Sequence, residues 1–517
     1  MRNFMEVYTN KVMGTISGWD RIRFRGTIRW LASTRGINTY LGTHHILLKD
    51  FGRWAEGITR RIRAACAEQA ERLGIPTVYL RSSGVDKEVL ARKIAAERGV
   101  EQGDICMFSV VEPCCAPRVQ GNRCAKTLEV VMVPRKCVWI YHYWNDPDLG
   151  FGHTRLQTWL PLSATVCING RHWLERQLLS ERICYVKQDN CFTWLEDLER
   201  AQCLLDRQLQ TYWPGLLDSL VQRNCPGVCE ALGAHLDYYW SADESEWATD
   251  IVFDSAAELD RLFPLLVRHG MVVAQSPAVM RFLGRKDHQG RLPNEVVTDL
   301  RKRYEGVRLK HWVNRNSVKM YNKAGNVLRV ETTINNTRDF KVFRHPNDDD
   351  SKPASWQKLR KGVSDLHRRA QVSQASNERY LDHLAASSFS ATLEETLSTI
   401  CRSVKRHGRR FRAINPWGSE DFRMLQFLAR GEMNVNGLRN RNLRACLEPH
   451  LDQNDPHARS RASGRISRRL ALLRAHGLIK KIPKENRYLL TAKGRKVTAA
   501  LLAASAADTQ RLMEAVA

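Results

Sequence analysis

Apolar and polar positions alternate at period two in three consecutive runs, residues 307–313, 317–321 and 327–333. Asn322, Lys323, Ala324, Gly325 and Asn326 supply turn chemistry between the last two. The pattern predicts an antiparallel meander. Val318, Met320, Leu328 and Val330 then share its apolar face, which leaves Lys319, Tyr321, Arg329 and Glu331 together on the other. One carboxylate among cations suits either a structural salt bridge or a metal and phosphate site.

Upstream, the hydrophobic period switches repeatedly between strand and helix. Residues 17–31 predict a strand with Ile22, Phe24 and Ile28 inward, a bulge at Gly26, and Asp20 at its beginning. Helical spacing over 45–73, a strand at 75–80, a helix over 85–97 and a strand ending in Glu112 make an alternating α/β block. A second such block has aromatic strands at 138–143 and 154–168, a helix from the N-cap Asn169 to Glu181, a strand over 183–192 and a helix over 193–213. Residues 238–253 end as a strand carrying Glu246 and Asp250. Four positions apart in an extended chain, these share a face at about 13 Å, too far for one metal. A capped helix follows at 255–270, kinked or split by Pro264.

Charge changes the picture. The chain carries a formal +26, with 34 basic and 32 acidic residues in 1–281 but 47 and 23 in 282–517, so the excess is +2 before Phe282 and +24 after it. A polyanion is the expected partner, nucleic acid above all. In 282–344 alone 15 basic residues face 6 acidic ones, and Arg308, Lys310, Lys319, Lys323 and Arg329 are the candidate phosphate contacts there. Residues 346–355 are the best linker candidate. The basic cluster Arg402, Lys405, Arg406, Arg409, Arg410 and Arg412 follows, as a backbone-tracking surface or a solvated helix face.

Candidate chemistry rests on carboxylates. Asp20, Glu112, Asp250 and Glu331 are the candidate ligands for Mg2+ or Mn2+, with Asp20, Glu112, Glu331 and Tyr321 as candidate catalytic groups for phosphodiester cleavage or strand transfer. The competing reading pairs strand-end acids with Arg21, Arg23 and Arg25. Tyr321 serves either as a nucleophile or as a packing and hydrogen-bonding group, the second being preferred because tyrosines on strands are common. No organic cofactor is expected. The fourteen cysteines lack zinc-finger or zinc-ribbon spacing and are expected mostly as buried thiols; the tryptophans between Trp139 and Trp247 are expected in the core. The absence of a signal-like leader or an apolar span predicts a cytoplasmic protein away from membranes.

Toward the C-terminus the periodicity predicts a helix capped by Ser419, a second over 434–447, a third over 460–476 closed by Gly477, a hairpin at 479–490 and a final helix from Ala492. Ile466, Leu470 and Leu473 mark the buried face of the third helix. This order resembles the winged helix-turn-helix of MarR-like regulators. The resemblance implies that Arg461, Arg465, Arg468 and Arg469 enter a duplex major groove while Lys480, Lys481, Lys484 and Arg487 touch flanking phosphate. The run KMYNKAGNVLRVE resembles strands of plasmid and phage replication initiators that nick DNA through a tyrosine, carrying over Tyr321, Lys323, Arg329 and Glu331, although the His-hydrophobic-His metal motif is absent. Residues 1–345 also resemble long bacterial proteins associated with mobile elements.

The expected fold is therefore multidomain α+β. It comprises α/β blocks at 1–137 and 138–281, a basic antiparallel meander joined to the core at 282–345, a linker and basic helical region at 346–412, and a winged helix at 413–517. The expected function is a DNA-binding protein of a mobile element or replicon that processes nucleic acid, duplex DNA first and RNA also fitting, as monomer or homo-oligomer. The alternative is a non-catalytic winged-helix regulator with a large sensing or assembly domain.

Overall fold

The computed structural model describes the chain except residues 123, 125, 233–236, 273, 275, 286–295, 304–305, 347–350, 386–392, 407, 430–436, 453–454, 483–484, 506 and 508–517. Up to residue 334 the strands are β1 (Val12–Thr27), β2 (Thr77–Leu80), β3 (Gly103–Asn122), β4 (Thr127–Asp146), β5 (Gly150–Gln157), β6 (Ala164–Asn169), β7 (Tyr185–Gln188), β8 (Cys191–Leu195), β9 (Tyr239–Phe253), β10 (Val296–Arg303), β11 (Gly306–Val313), β12 (Asn316–Lys323) and β13 (Val327–Ile334). Eleven of them form one sheet in the order β10-β11-β12-β13-β9-β1-β6-β5-β4-β3-β2. The remaining two, β7 and β8, pair with each other as a separate hairpin.

The mixed α/β character of the sequence is thus realised differently from the expected series of blocks. Among the described residues the only parallel pair in the large sheet is β2 with β3; its other neighbours run antiparallel, as short hairpin connections allow. β1 pairs with β9 from Val12↔Phe253 to Thr27↔Tyr239, and β9 pairs with β13, so both expected α/β blocks and the meander are one continuous sheet. Two local expectations are also corrected. β3 continues ten residues past Glu112 because it pairs with β4 as a long ribbon, and residues 183–192 turn at Asp189 and Asn190 rather than extending. Pro264 sits inside the helix Ala256–Val272 and does not split it.

The apolar face of the meander, with Leu309, Val318, Met320, Leu328 and Val330, packs on Leu259 and Leu266 of that helix and on Tyr380, Leu381 and Leu384 of the helix Leu366–Ala385. This long helix lies within the stretch expected as linker and basic helical region, yet it is part of the core. Asn377 donates to the carbonyls of Trp247 and Val330 and to Thr249 Oγ1, and accepts from Thr332 Oγ1 at 2.7 Å. Arg369, also fully enclosed, donates to the carbonyls of Ala242 and Ile334. The opposite face of β1 is covered by the helices Gly170–Glu181 and Leu198–Arg207 through Leu174, Leu178, Leu204 and Leu205 around Ile16. Close approach is made possible by Gly170, where a Cβ would stand 2.1 Å from the Trp19 carbonyl oxygen. Asn169 caps this helix as expected.

Trp139, Trp144, Trp213, Trp240 and Trp247 are buried, as their near-neutral surroundings implied, whereas Trp159 and Trp173 are half-buried and Trp194 is exposed, contrary to that expectation. Cysteines depart from expectation: Cys66, Cys106, Cys191 and Cys225 are buried, but Cys115, Cys124, Cys184, Cys203, Cys229 and Cys401 are exposed. The C-terminal part consists of the helices Ser419–Leu428, Asn440–Leu447 and Pro456–Ala475, a hairpin of Ile479–Lys481 with Tyr488–Leu490, and the helix Ala492–Ser505. Ile466, Leu470 and Leu473 are buried as expected, and the same apolar cluster takes in Leu397 and Ile400 from the helix Leu393–Ser398 and the turn after it. The cluster Arg402 to Arg412 lies largely on a two-stranded hairpin, Val404–Arg406 with Arg409–Phe411, rather than on a helix. Among the described residues no helix is long and apolar enough to cross a membrane.

Because Asn377 satisfies buried groups on two strands at once, Asn377→Ala is expected to lower the unfolding free energy by about 2–4 kcal/mol, read from urea denaturation. The C-terminal cluster predicts that a fragment beginning at residue 391 melts cooperatively while one beginning at 413, lacking Leu397 and Ile400, melts at a lower temperature in a thermal scan.

Candidate metal and phosphate site

A bulge in β1 builds the site. Trp19 pairs with Trp247 and Arg21 with Glu246, so Asp20 is the extra residue between two consecutive partners on β9. A bulge of this kind turns a side chain out of simple alternation, and Asp20 ends on the same side of the sheet as Arg329 and Glu331. The bulge is therefore at Asp20 itself, in mid-strand, and not at Gly26. Opposite Asp20, β9 offers Glu246 and Asp250, β13 offers Arg329 and Glu331, and β12 offers Lys319 and Tyr321, with Lys319 directly across from Glu331 and Tyr321 from Arg329.

Carboxylate oxygens of Asp20, Glu246 and Glu331 lie within 4.8 Å of one another. Asp20 and Glu331 are buried, and Glu246 is 15% exposed at the mouth of the group. Lys319 Nζ bridges Glu331 at 2.6 Å and Glu246 at 3.6 Å. The Tyr321 hydroxyl donates to Glu331 Oε2 at 3.1 Å, and Asn190 Nδ2, from the β7–β8 turn, donates to Asp20 Oδ1 at 2.9 Å. Burial raises the carboxyls of Asp20 and Glu331 above the ordinary range, more than the neighbouring cations lower them. Lys319 behaves oppositely: burial would lower its ammonium, but Glu331 and Glu246 outweigh burial and raise it. Lys310, beyond it on β11, is lowered to about 8 by burial and by Lys319 and Arg308; its ammonium lies 3.7 Å over the Trp312 ring.

Hard oxygen donors at this spacing could hold a metal ion, a hard divalent cation best suiting carboxylate oxygens. A cation entering the group competes with Lys319 for Glu331 and Glu246. The arrangement can accordingly hold a divalent ion with cationic side chains beside it, or close on itself as an ion-pair network.

The other expected residues fall in distinct places. Asp250 is not available to a metal in this arrangement: Arg329 Nε reaches its Oδ1 at 2.5 Å and Arg171 Nη2 its Oδ2 at 2.9 Å, and together these guanidiniums overcome burial and hold its carboxyl below the usual value. Arg329 is fully enclosed, also reaching Asp20 at 3.2 Å and the Asn190 carbonyl at 2.8 Å, so it is no phosphate contact. Glu112 stands on β3, four strands from β1 and roughly 19 Å away at about 4.8 Å per strand, where it pairs with Lys87 at 3.1 Å and with Arg155 and Tyr141. It does not join Asp20. Lys323 is paired with Asp189 at 2.9 Å. Arg308 is half-buried on β11 opposite Tyr321. Burial lifts the Tyr321 phenol well above its ordinary value. Glu246, absent from the expected ligands, replaces Glu112 and Asp250; its signal was its place four residues before Asp250 on one strand face, which needed the cross-strand register to be interpreted.

On the C-terminal part, Arg461 and Arg468 are exposed on Pro456–Ala475 with no carboxylate in ion-pair reach among the described residues, while Arg465 pairs with Glu448 at 2.6 Å and Arg469 with Glu420 at 2.7 Å. Lys480 and Lys481 are exposed on the hairpin, Arg487 pairs with Glu485 at 2.8 Å, and Lys484 lies outside the described residues. No protein-family model matches this chain, and neither a curated protein nor a solved structure matches it.

Raised carboxyls imply that the folded protein holds protons the unfolded chain has released, so their contribution to stability falls as pH rises from the ordinary carboxylate range through the raised values. Binding of a cation to the ionised group opposes this loss. Mn2+ at about 100 times its dissociation constant is expected to add roughly 2.7 kcal/mol near neutral pH, and less in acid, where protons compete. Asp20→Asn should remove the Mn2+ effect in thermal melts; a wild-type melt that ignores Mn2+ at both pH values excludes the site.

Proposed function

We propose that this protein binds nucleic acid and cleaves or transfers its phosphodiester backbone, using the group Asp20, Glu246 and Glu331 to hold Mg2+ or Mn2+. The observation that carries the reading is the convergence of these three carboxylates within 4.8 Å, from three strands, beside Lys319. A divalent ion so held supplies charge neutralisation at phosphorus and an activated water. Lys319, Lys310 and Arg308, on adjacent strands of the same face, are the side chains that would orient a phosphate and take up its charge. Tyr321 acts as a positioning residue: it orients Glu331 through its hydroxyl and does not attack phosphorus. Mobile-element or replication-initiator processing of DNA, in a cytoplasmic setting, is the context that the sequence resemblances support.

The same proposal assigns duplex recognition to the C-terminal part as a winged helix. The order of its elements and the exposed arginines Arg461 and Arg468 favour it. Under this reading Arg465 and Arg469 reach phosphate or base only after exchanging Glu448 and Glu420 for nucleic acid.

A second reading, the non-catalytic regulator, is favoured by one observation: Lys319 already bridges two of the three carboxylates, as a purely structural ion pair would.

Incubation of end-labelled DNA with protein and Mn2+ or Mg2+ discriminates them. Glu331→Gln is expected to lower cleavage at least about 100-fold, equivalent to roughly 2.7 kcal/mol, whereas Tyr321→Phe keeps cleavage and leaves no DNA attached to protein on a denaturing gel. Absence of metal-dependent cleavage by the wild type, with duplex binding intact, selects the regulator. In a separate titration, Arg461→Ala with Arg468→Ala should weaken duplex binding and reduce its salt dependence by about one unit of slope for each phosphate no longer neutralised.

A further inference from the structure

Directly after β1 the chain forms a second polar and aromatic feature, away from the carboxylates. Trp30, Tyr40 and His44 stack as a column: Trp30 and Tyr40 have ring centroids 4.7 Å apart at 20°, and Tyr40 and His44 are 3.9 Å apart at 23°. They line a cleft of about 610 Å³ between the end of β1 and the helix Thr34–Thr43. The column is held before any ligand arrives. Ser33 caps the helix by accepting from the Gly36 amide at 3.1 Å, and Gly36 presses so closely on Trp30 that a Cβ there would stand 2.2 Å from the Trp30 carbonyl oxygen. The Tyr40 hydroxyl donates to the Leu232 carbonyl at 2.9 Å, and His44 Nδ1 lies 2.9 Å from the Tyr40 carbonyl oxygen.

Charge completes the argument. Arg29 and Arg35 line the same cleft and are exposed, no carboxylate lines it, and neither arginine has an acidic partner among the described residues. Arg29 instead lies 3.9 Å over the Tyr239 ring. Preset aromatic faces flanked by guanidiniums without acidic partners are the elements that single-stranded nucleic acid uses, since every base offers a π-face and every linkage an anion.

We infer that the cleft is a single-strand subsite, in which a base stacks on the column of Trp30, Tyr40 and His44 while Arg29 and Arg35 each hold a flanking phosphate. A strand offers each arginine its own phosphate, which a nucleoside monophosphate does not. The inference rests on the proposal that nucleic acid is the substrate, and extends it to a segment that is unpaired where it meets the core.

The test uses the full-length protein, fluorescence anisotropy and a labelled oligothymidine of about 12 nucleotides, with a labelled duplex and free AMP as parallel probes. The double variant Arg29→Ala with Arg35→Ala, and separately His44→Ala, should each weaken oligothymidine binding at least about fivefold, leaving duplex binding and the Mn2+-dependent melting shift unchanged. Trp30→Phe, which keeps an aromatic face, should stay within about twofold. Wild-type oligothymidine affinity in both the double variant and His44→Ala, with duplex binding retained, overturns this subsite alone. Displacement of the oligothymidine by AMP at a concentration equivalent to its nucleotides overturns the strand in favour of a mononucleotide pocket. Failure of the wild type to bind either oligothymidine or duplex removes the nucleic-acid proposal and this subsite with it.

Discussion

A guanidinium buried in the middle of a sheet constrains everything around it. Arg329 has no route to water, so its charge must be met by protein, and it is met by Asp250 on the neighbouring strand and by Asp20 one strand further. Breaking such a group by removing one partner typically costs about 3–5 kcal/mol, which makes the register of β13, β9 and β1 a shared property of the three strands. A slip of one residue on any of them would point a carboxylate to the wrong face and leave the guanidinium unpaired. The bulge at Asp20 fits the same constraint, because simple alternation would not bring both Asp20 and Arg21 to this side of β1.

The candidate metal group depends on that register and shares Asp20 with it. Arg329 and Arg171 take Asp250 for themselves, and this leaves Glu246, near the solvent edge, as the third carboxylate beside Asp20 and Glu331. Structural pairing and candidate chemistry thus occupy adjacent positions on the same strands and meet at Asp20: Asp250 and Asp20 face the fixed Arg329, while Glu246 and Glu331 face Lys319, a lysine with a flexible stem.

Much of this was legible in local pattern. Alternation in 307–333 was enough to put Lys319, Tyr321, Arg329 and Glu331 on one face, since a strand's period carries that information within itself. The burial of Ile466, Leu470 and Leu473 likewise follows from helical period alone. What local pattern does not contain is strand order. Asp20 and Glu112 looked equivalent as strand-borne acids, and only the insertion of β6, β5 and β4 between their strands separates them. Local pattern compares Glu246 only with Asp250 on its own strand, whereas the carboxylates it joins come from residues 226 positions before it and 85 after it, by the numbering of Asp20 and Glu331. The sequence makes Arg329 look like a phosphate contact for a related reason: a basic residue on a polar face is solvent-facing only if nothing covers that face, and here the β7–β8 turn does.

The order in which the central strands occur along the chain has a consequence during biosynthesis. β1 emerges from the ribosome early, β9 more than 200 residues later, and β13 later still, after which the helix Leu366–Ala385 must close over the other side of the sheet. At about 5–20 residues per second, Asp20 waits more than ten seconds for Glu246 and further seconds for Glu331. A nascent chain shorter than β13 therefore has no complete carboxylate group, however much of its earlier structure has formed. Whatever chemistry this group performs is withheld until the strand that supplies Glu331 has joined the sheet, so the order of synthesis itself sets when the site can first act.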